Sequence, residues 1–194
     1  MTATEPRRLR KLEVDRLDAE QRALYDSIAS GPRANGPQLF ALTDGAGRLE
    51  GPFNAMLLRP GLGQALQELG AAIRYRGTLD DRGREIAILA VAAVWDSAFE
   101  RYAHEAVGRA AGLEEAELDA LRRGDHEAFA DERERLIAAT ARALAEQGDL
   151  TEEEFAGGRA ALGEEGLFEL TTLVGYYATL ALQLRIFRVP APEC

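Results

Sequence analysis

From Phe53 almost to the end of the chain, apolar residues recur three and four positions apart, the period of helices with one buried face. FNAMLLRP reads as a short helix stopped by Pro60. Leu62 to Tyr75 is a longer one with Leu62, Leu66, Leu69 and Ile73 turned inward. Thr78 stands three residues before Asp81 in TLDD, a capping pattern. It opens a helix that runs through Glu85 into IAILAVAAV, Ile86 to Val94, which is apolar on every side and so marks a central helix. Ser97 to Ala111 follows, closed by Gly112, and LEEAELDAL is a short helix. Glu127 to Gln147 is amphipathic, with Leu136, Ile137, Ala141 and Leu144 inward. Asp149 or Thr151, ahead of the capping pattern TEEEF, starts another helix, and Gly166 to Phe187 is the last, long and strongly apolar. Upstream, residues 1–16 form a charged arm, and Asp18 to Ser30 a helix carrying Leu24 and Ile28 on one face. Residues 36–52, around the turn signal DGAG, predict a small hairpin or ordered loop able to cover a pocket. The fold class is therefore all-α, a helical bundle with an N-terminal arm and a short loop or hairpin region. The division is 1–50 for arm, helix and loop, 51–190 for the helical domain and 191–194 for a tail.

Composition narrows the functions. A chain of 194 residues suits one domain with a real core. Its net charge of −10 leaves it without the positive surface that phosphate backbones and anionic membranes attract, so neither nucleic acid nor membrane is an expected partner. The apolar run Leu170 to Leu184 falls short of a membrane span, and the charged N-terminus is unlike a secretory signal, so the expected location is cytoplasmic. Cys194 is the single cysteine, which excludes an internal disulfide and a CxxC redox pair.

Candidate chemistry gathers where the most apolar segment ends. In WDSAFERYAH, Trp95 to His104, a hydroxyl (Ser97), a carboxylate (Glu100) and an imidazole (His104) share one helical face. Glu100 and His104 are an i, i+4 pair, close enough for the acid to hold and polarise the ring. An imidazole so placed suits general acid–base work near neutral pH. Glu85, on the preceding apolar helix, is costly to bury without a partner or a task. Structural readings stand beside these. Ser97-x-x-Glu100 is also a capping box, Glu100–His104 also an ordinary surface pair, and Glu85 can sit exposed beside Arg82 or Arg84. His126, in GDHEAF, reads as solvated. One histidine with two acids and no HxxxH pair is a poor metal set, so no metal and no cofactor is expected. A serine hydrolase lacks its G-x-S-x-G elbow.

The segments GPFNAML, DDRGREIAILAVA, WDSAFERYAHEAVGRAAGL and LVGYYATLAL resemble the carboxymuconolactone decarboxylase family, which is related to the AhpD alkyl hydroperoxidases, from about residue 51 to 190. The resemblance implies an AhpD-like helical bundle that self-associates as a dimer, trimer or hexamer. It places the peroxidase branch's glutamate on Glu85, its two cysteines on Ser97 and Glu100 and its histidine on His104. With both cysteines absent, thiol peroxidase activity is not expected, because that chemistry needs a thiolate and a resolving partner. The resemblance leads instead to a cofactor-free acid–base enzyme, a decarboxylase, lyase or isomerase acting on a small carboxylic acid or lactone. In this reading His104 is the acid–base group, Glu100 orients it, Glu85 is a second proton carrier, and Ser97, Phe53, Asn54 and Trp95 contact substrate. A non-catalytic small-molecule-binding oligomer, an AhpD-related protein that has lost its redox cysteines and a reductase working through intermolecular Cys194 stay open as alternatives.

Overall fold

The structure, a computed structural model, describes residues 7–31 and 38–192. Among the described residues eight α-helices follow one another: α1 (Ala19–Ala29), α2 (Gly51–Met56), α3 (Pro60–Arg76), α4 (Asp81–Val94), α5 (Ala98–Ala110), α6 (Glu115–Arg123), α7 (Glu132–Gln147) and α8 (Glu152–Phe187). Among the described residues the β-structure amounts to one isolated bridge, Thr43 to Leu49, which closes the DGAG turn. The predicted hairpin is thus reduced to a tight loop, held by Asp44, Arg48 and Lys11. Residues 36 and 37 of that prediction lie outside the described residues.

α4 is the axis of the bundle. Gly83 to Ala92 are all buried, and the helix packs against α5, α6, α7 and α8. Its all-round apolar surface has no other stable place. Ile86, Ile88, Leu170, Leu173, Ile137 and Phe129 are essentially shut off from solvent and form the middle of the core.

Several helix starts differ from the sequence reading, each for a local reason. Pro60 begins α3 instead of only stopping α2, because a proline's missing N–H is harmless in the first turn. Asp80, not Thr78, caps α4 by accepting from the Gly83 N–H at 2.6 Å. α7 starts at Glu132 behind a cap by Asp131, with a 3-10 turn over His126–Ala128 before it. The two helices read at Thr151 and Gly166 are continuous except at Gly163, where φ of 70° and ψ of 178° break α8, a conformation glycine adopts without a Cβ penalty. Gly51, also at positive φ, lies against the Phe99 ring, where any Cβ would overlap it.

Thr78 has a different task. Its N–H (2.6 Å) and hydroxyl (2.7 Å), together with the Leu79 N–H (3.1 Å), donate to the Glu169 carboxylate on α8. Burial alone pushes that carboxyl up, but the three bonds outweigh it and hold it below the ordinary glutamate range. A carboxyl lowered in the folded state contributes stability that is present above its unfolded pKa and is lost as pH falls through the folded value. Glu169→Gln is therefore expected to cost about 1–2 kcal/mol at neutral pH and to flatten the acid limb of a urea-stability profile. An unchanged profile would show that the clamp contributes nothing.

Candidate functional site

Only residues 95–97 join α4 to α5. Trp95 ends α4, Asp96 takes a left-handed conformation with φ of 48°, and Ser97 precedes α5. The chain doubles back, and the first turns of α4 come level with the second turn of α5. That is why two residues 19 apart in sequence meet: the His104 Nδ1 lies 2.7 Å from Oε2 of Glu85. Both are buried, Glu85 completely. On the other side of the ring, Nε2 lies 3.5 Å from Oε2 of Glu100, one turn earlier on α5. The imidazole is thus held between carboxylates from two helices.

Arg84 closes the back of this arrangement. It is buried, with its Nε 3.8 Å from Oε1 of Glu85, and neither of these two atoms has a hydrogen-bond partner among the described residues. Its outer nitrogen donates to Asp81 at 2.5 Å, and this bond holds the Asp81 carboxyl below its ordinary range. A carboxylate without water needs such compensation, and the adjacent guanidinium provides it as a charge at ion-pair distance. Arg82, the other arginine considered for Glu85, is used elsewhere, bonding Glu134 at 2.6 Å and Glu117 at 2.5 Å.

The front of the ring faces a narrow, cleft-like recess, part of it open to solvent, whose enclosed room is about 20 Å³, little more than one water molecule needs. His104 and Glu100 share its lining with Arg74 of α3 and with aromatic walls formed by Phe40, Phe53, Phe99, Tyr176 and Tyr177. Tyr177 meets the His104 ring edge-on at 5.1 Å, and the Tyr176 ring in turn packs edge-on against Tyr177, which steadies the imidazole plane. Such a lining, mostly apolar with a few convergent polar groups, suits a small-molecule site.

The other sequence candidates are placed as follows. Phe53 lines the recess; Asn54, its neighbour, does not. The Asn54 amide accepts from the Leu12 N–H at 2.9 Å and donates to the Arg10 carbonyl at 3.2 Å, so it anchors the N-terminal arm. Trp95 is half-buried beneath the Arg185 guanidinium, 5.4 Å from the ring centre, and Arg185 also donates to its carbonyl. Ser97 makes no capping bond; its hydroxyl is buried without a hydrogen-bond partner among the described residues and is not part of the recess lining. His126 is partly exposed, with Nε2 3.4 Å from Glu127. Cys194 lies outside the described residues. No group of three or more His, Cys, Asp or Glu among the described residues is arranged to hold a metal. Glu85 and Glu100 address opposite nitrogens of one ring and do not converge on a common point.

Sequence reasoning missed Arg74, Phe40, Phe99 and the tyrosine pair. The tyrosines had a signal, two phenols side by side in an otherwise apolar helix, whereas Arg74 looked like any basic residue in a last helical turn.

The model of the carboxymuconolactone decarboxylase family matches residues 60–148, the span that carries Glu85, Glu100 and His104. That span is just under half of the chain, which is similar to the family over that segment. Solved structures extend the likeness to the whole chain at the level of fold. An uncharacterized peroxidase-related protein with an alkylhydroperoxidase AhpD core, from Ralstonia eutropha, superposes with a TM-score of 0.76 at 16% identity, covering 98% of this chain and 95% of that one. An uncharacterized peroxidase-related protein from a Silicibacter species gives 0.75 at 13% identity, covering 100% and 95%. The debrominase Bmp8, a cysteine-to-alanine form in complex with 2,3,4-tribromopyrrole, gives 0.68 at 14% identity, covering 99% and 94%. Among curated proteins none matches the sequence. The all-helical AhpD-like architecture expected of the family is the one observed. Among the described residues no helix is long and apolar enough to cross a membrane.

Proposed function

We propose that this protein is a cofactor-free acid–base enzyme, a decarboxylase, lyase or isomerase, acting on a small carboxylic acid or lactone with His104 as its proton carrier. The observation that carries this reading is the imidazole held between Glu85 at Nδ1 and Glu100 at Nε2, with its Nε2 side toward an aromatic recess. The two acids exchange the parts that sequence spacing suggested. Glu85, buried and at hydrogen-bond distance, orients the ring and stabilises its protonated form. Glu100, lining the recess beside Nε2, is the acid able to pass a proton between imidazole and solvent or substrate. In a decarboxylation the bond to the departing CO2 breaks and its electron pair stays on the adjacent carbon as an enolate. The His104 Nε2–H then protonates that carbon, and a solvent proton restores the imidazolium. In an isomerisation neutral Nε2 takes the proton from one carbon and returns it to another.

The debrominase among the fold neighbours is consistent with small-ring chemistry on this scaffold. A thiol peroxidase reading has no support in a chain whose single cysteine is its last residue. The direct experiment incubates the protein in D2O with a panel of β,γ-unsaturated acids, β-keto acids and carboxylated lactones, and follows CO2 release and deuterium uptake by NMR. Ligands recovered bound, intact and unlabelled would favour the non-catalytic reading.

We also propose self-association through α8. Phe168, Thr171, Gly175, Thr179, Leu182 and Ile186 form an exposed, uncharged stripe with steps of three and four. The hydroxyls of Thr171 and Thr179 bond back to carbonyls of their own helix, which leaves the stripe less polar than its sequence. A Cβ on Gly175 would meet nothing within the chain, so the glycine leaves room for a facing helix. Leu182→Glu is expected to turn an oligomer into a monomer in sedimentation velocity; an unchanged species would place the interface elsewhere.

A further inference from the structure

We propose that Phe40 is the gate of the recess, shut in this structure, and that a ligand reaches the His104 Nε2 when the Phe40 ring swings out about the Ala41 backbone. This gate rests on the acid–base reading's choice of the recess as ligand site and adds how that site is entered. The enclosed room beside the imidazole is about 20 Å³, enough for one water and too small for an organic acid, so a wall has to give way. Phe99 and Ala103 stand on α5, Tyr176, Tyr177 and Leu180 on α8, and Phe53 on α2, all of them buried. Displacing any of these shifts a packed helix. Phe40 is different. Of the described residues that line the recess, it is the one outside a helix, and it is half-buried. Arg74, the other half-buried one, has Asp81 for its charge, and a guanidinium that keeps contact with water does not seal an apolar recess as a ring does.

The chain just after Phe40 is anchored. The Glu50 N–H donates to the Leu42 carbonyl at 2.9 Å, Thr43 and Leu49 form the isolated bridge, and Lys11 ties Asp44 to Glu50. The Tyr25 hydroxyl holds the far end of the loop, donating to the Gly47 carbonyl at 2.7 Å. Ahead of this base the ties weaken: the Ala41 N–H reaches the Tyr102 hydroxyl at 3.4 Å, long for a hydrogen bond. Rotation at Ala41 therefore carries the Phe40 ring away from His104 while the loop from Leu42 to Glu50 stays folded. The ring packs both on the main core and on the small cluster of Phe99, Ala103 and Leu184, so apolar contact favours the shut position. A ligand with an apolar body that enters the recess replaces the contacts the ring gives up.

The test needs no substrate. Diethyl pyrocarbonate, far larger than a water, acylates unprotonated imidazole nitrogen, and it reaches the His104 Nε2 through the recess. The chain's two histidines fall on separate tryptic peptides, so mass spectrometry reads both rates in one sample. In native protein His104 is expected to react about ten- to hundredfold more slowly than the partly exposed His126, the factor by which a minor open state is outnumbered. Phe40→Ala speeds the reaction of His104 by about tenfold without changing that of His126, and Phe40→Tyr, which keeps a ring, stays within about twofold of native. Leu118→Ala, a core change in α6 away from the recess, reports what lost stability alone does and leaves the His104 rate low. His104 reacting as fast as His126 in native protein, a Phe40→Ala protein with the native rate, or a Leu118→Ala protein that gains as much as Phe40→Ala would each overturn the gate. None of these results bears on the acid–base reading, which fails instead if a His104→Gln protein still turns substrate over.

Discussion

His104→Gln is expected to lower turnover by about 10²- to 10⁴-fold, the range that a positioned general acid–base group contributes. The glutamine keeps a hydrogen-bonding group beside Glu85 but carries no proton that can be exchanged with a carbon. KM is expected to change little, since the recess walls and Arg74 are untouched. Glu85→Gln and Glu100→Gln separate the two acids. The first removes the charge that stabilises the imidazolium at Nδ1 and so lowers kcat at every pH. The second acts on the recess side, lowering kcat while the Nδ1 contact to Glu85 stays in place. Full turnover in the His104→Gln protein on any substrate found would remove the imidazole from the chemistry.

The second large effect is on stability. Glu85→Ala is expected to cost about 3 kcal/mol, because removing one member of a buried charged pair leaves the others uncompensated. Arg84 would keep only Asp81, and the His104 Nδ1 would face an empty space. Glu85→Gln is milder, since the amide still bonds the imidazole. Adding Arg84→Met to Glu85→Ala recovers part of the loss, and the shortfall from additivity in urea midpoints measures the coupling. A Glu85→Ala cost below about 1 kcal/mol would show that the buried acid is not held by its neighbours.

The central helix and its burial were legible in the sequence because IAILAVAAV admits no polar face. The His104 pairing was legible only in part. Spacing along one helix brings Glu100 within reach of the ring, but it cannot reveal that a three-residue connector folds α5 back so that Glu85 makes the shorter contact. Ser97 shows the opposite limit. Its capping pattern is sound, yet the hydroxyl makes no capping bond and the recess lining excludes it. Thr78 has the same lesson in milder form, since its hydroxyl goes to Glu169 on a helix 91 residues away in sequence. Asn54 and Arg74 were unreadable from pattern, because one is spent on the arm and the other gains meaning only from the aromatic side chains that four other segments bring around it.

With two histidines in the chain, imidazole ¹⁵N NMR reads His104 against a partly exposed internal reference, His126. The geometry predicts that the neutral His104 ring carries its proton on Nδ1, hydrogen-bonded to Glu85, and leaves Nε2 bare, and that Glu85→Gln disturbs this tautomer but leaves the His126 ring unaffected. A His104 ring found with its proton on Nε2 and an unprotonated Nδ1, or indifferent to Glu85→Gln, would contradict the account.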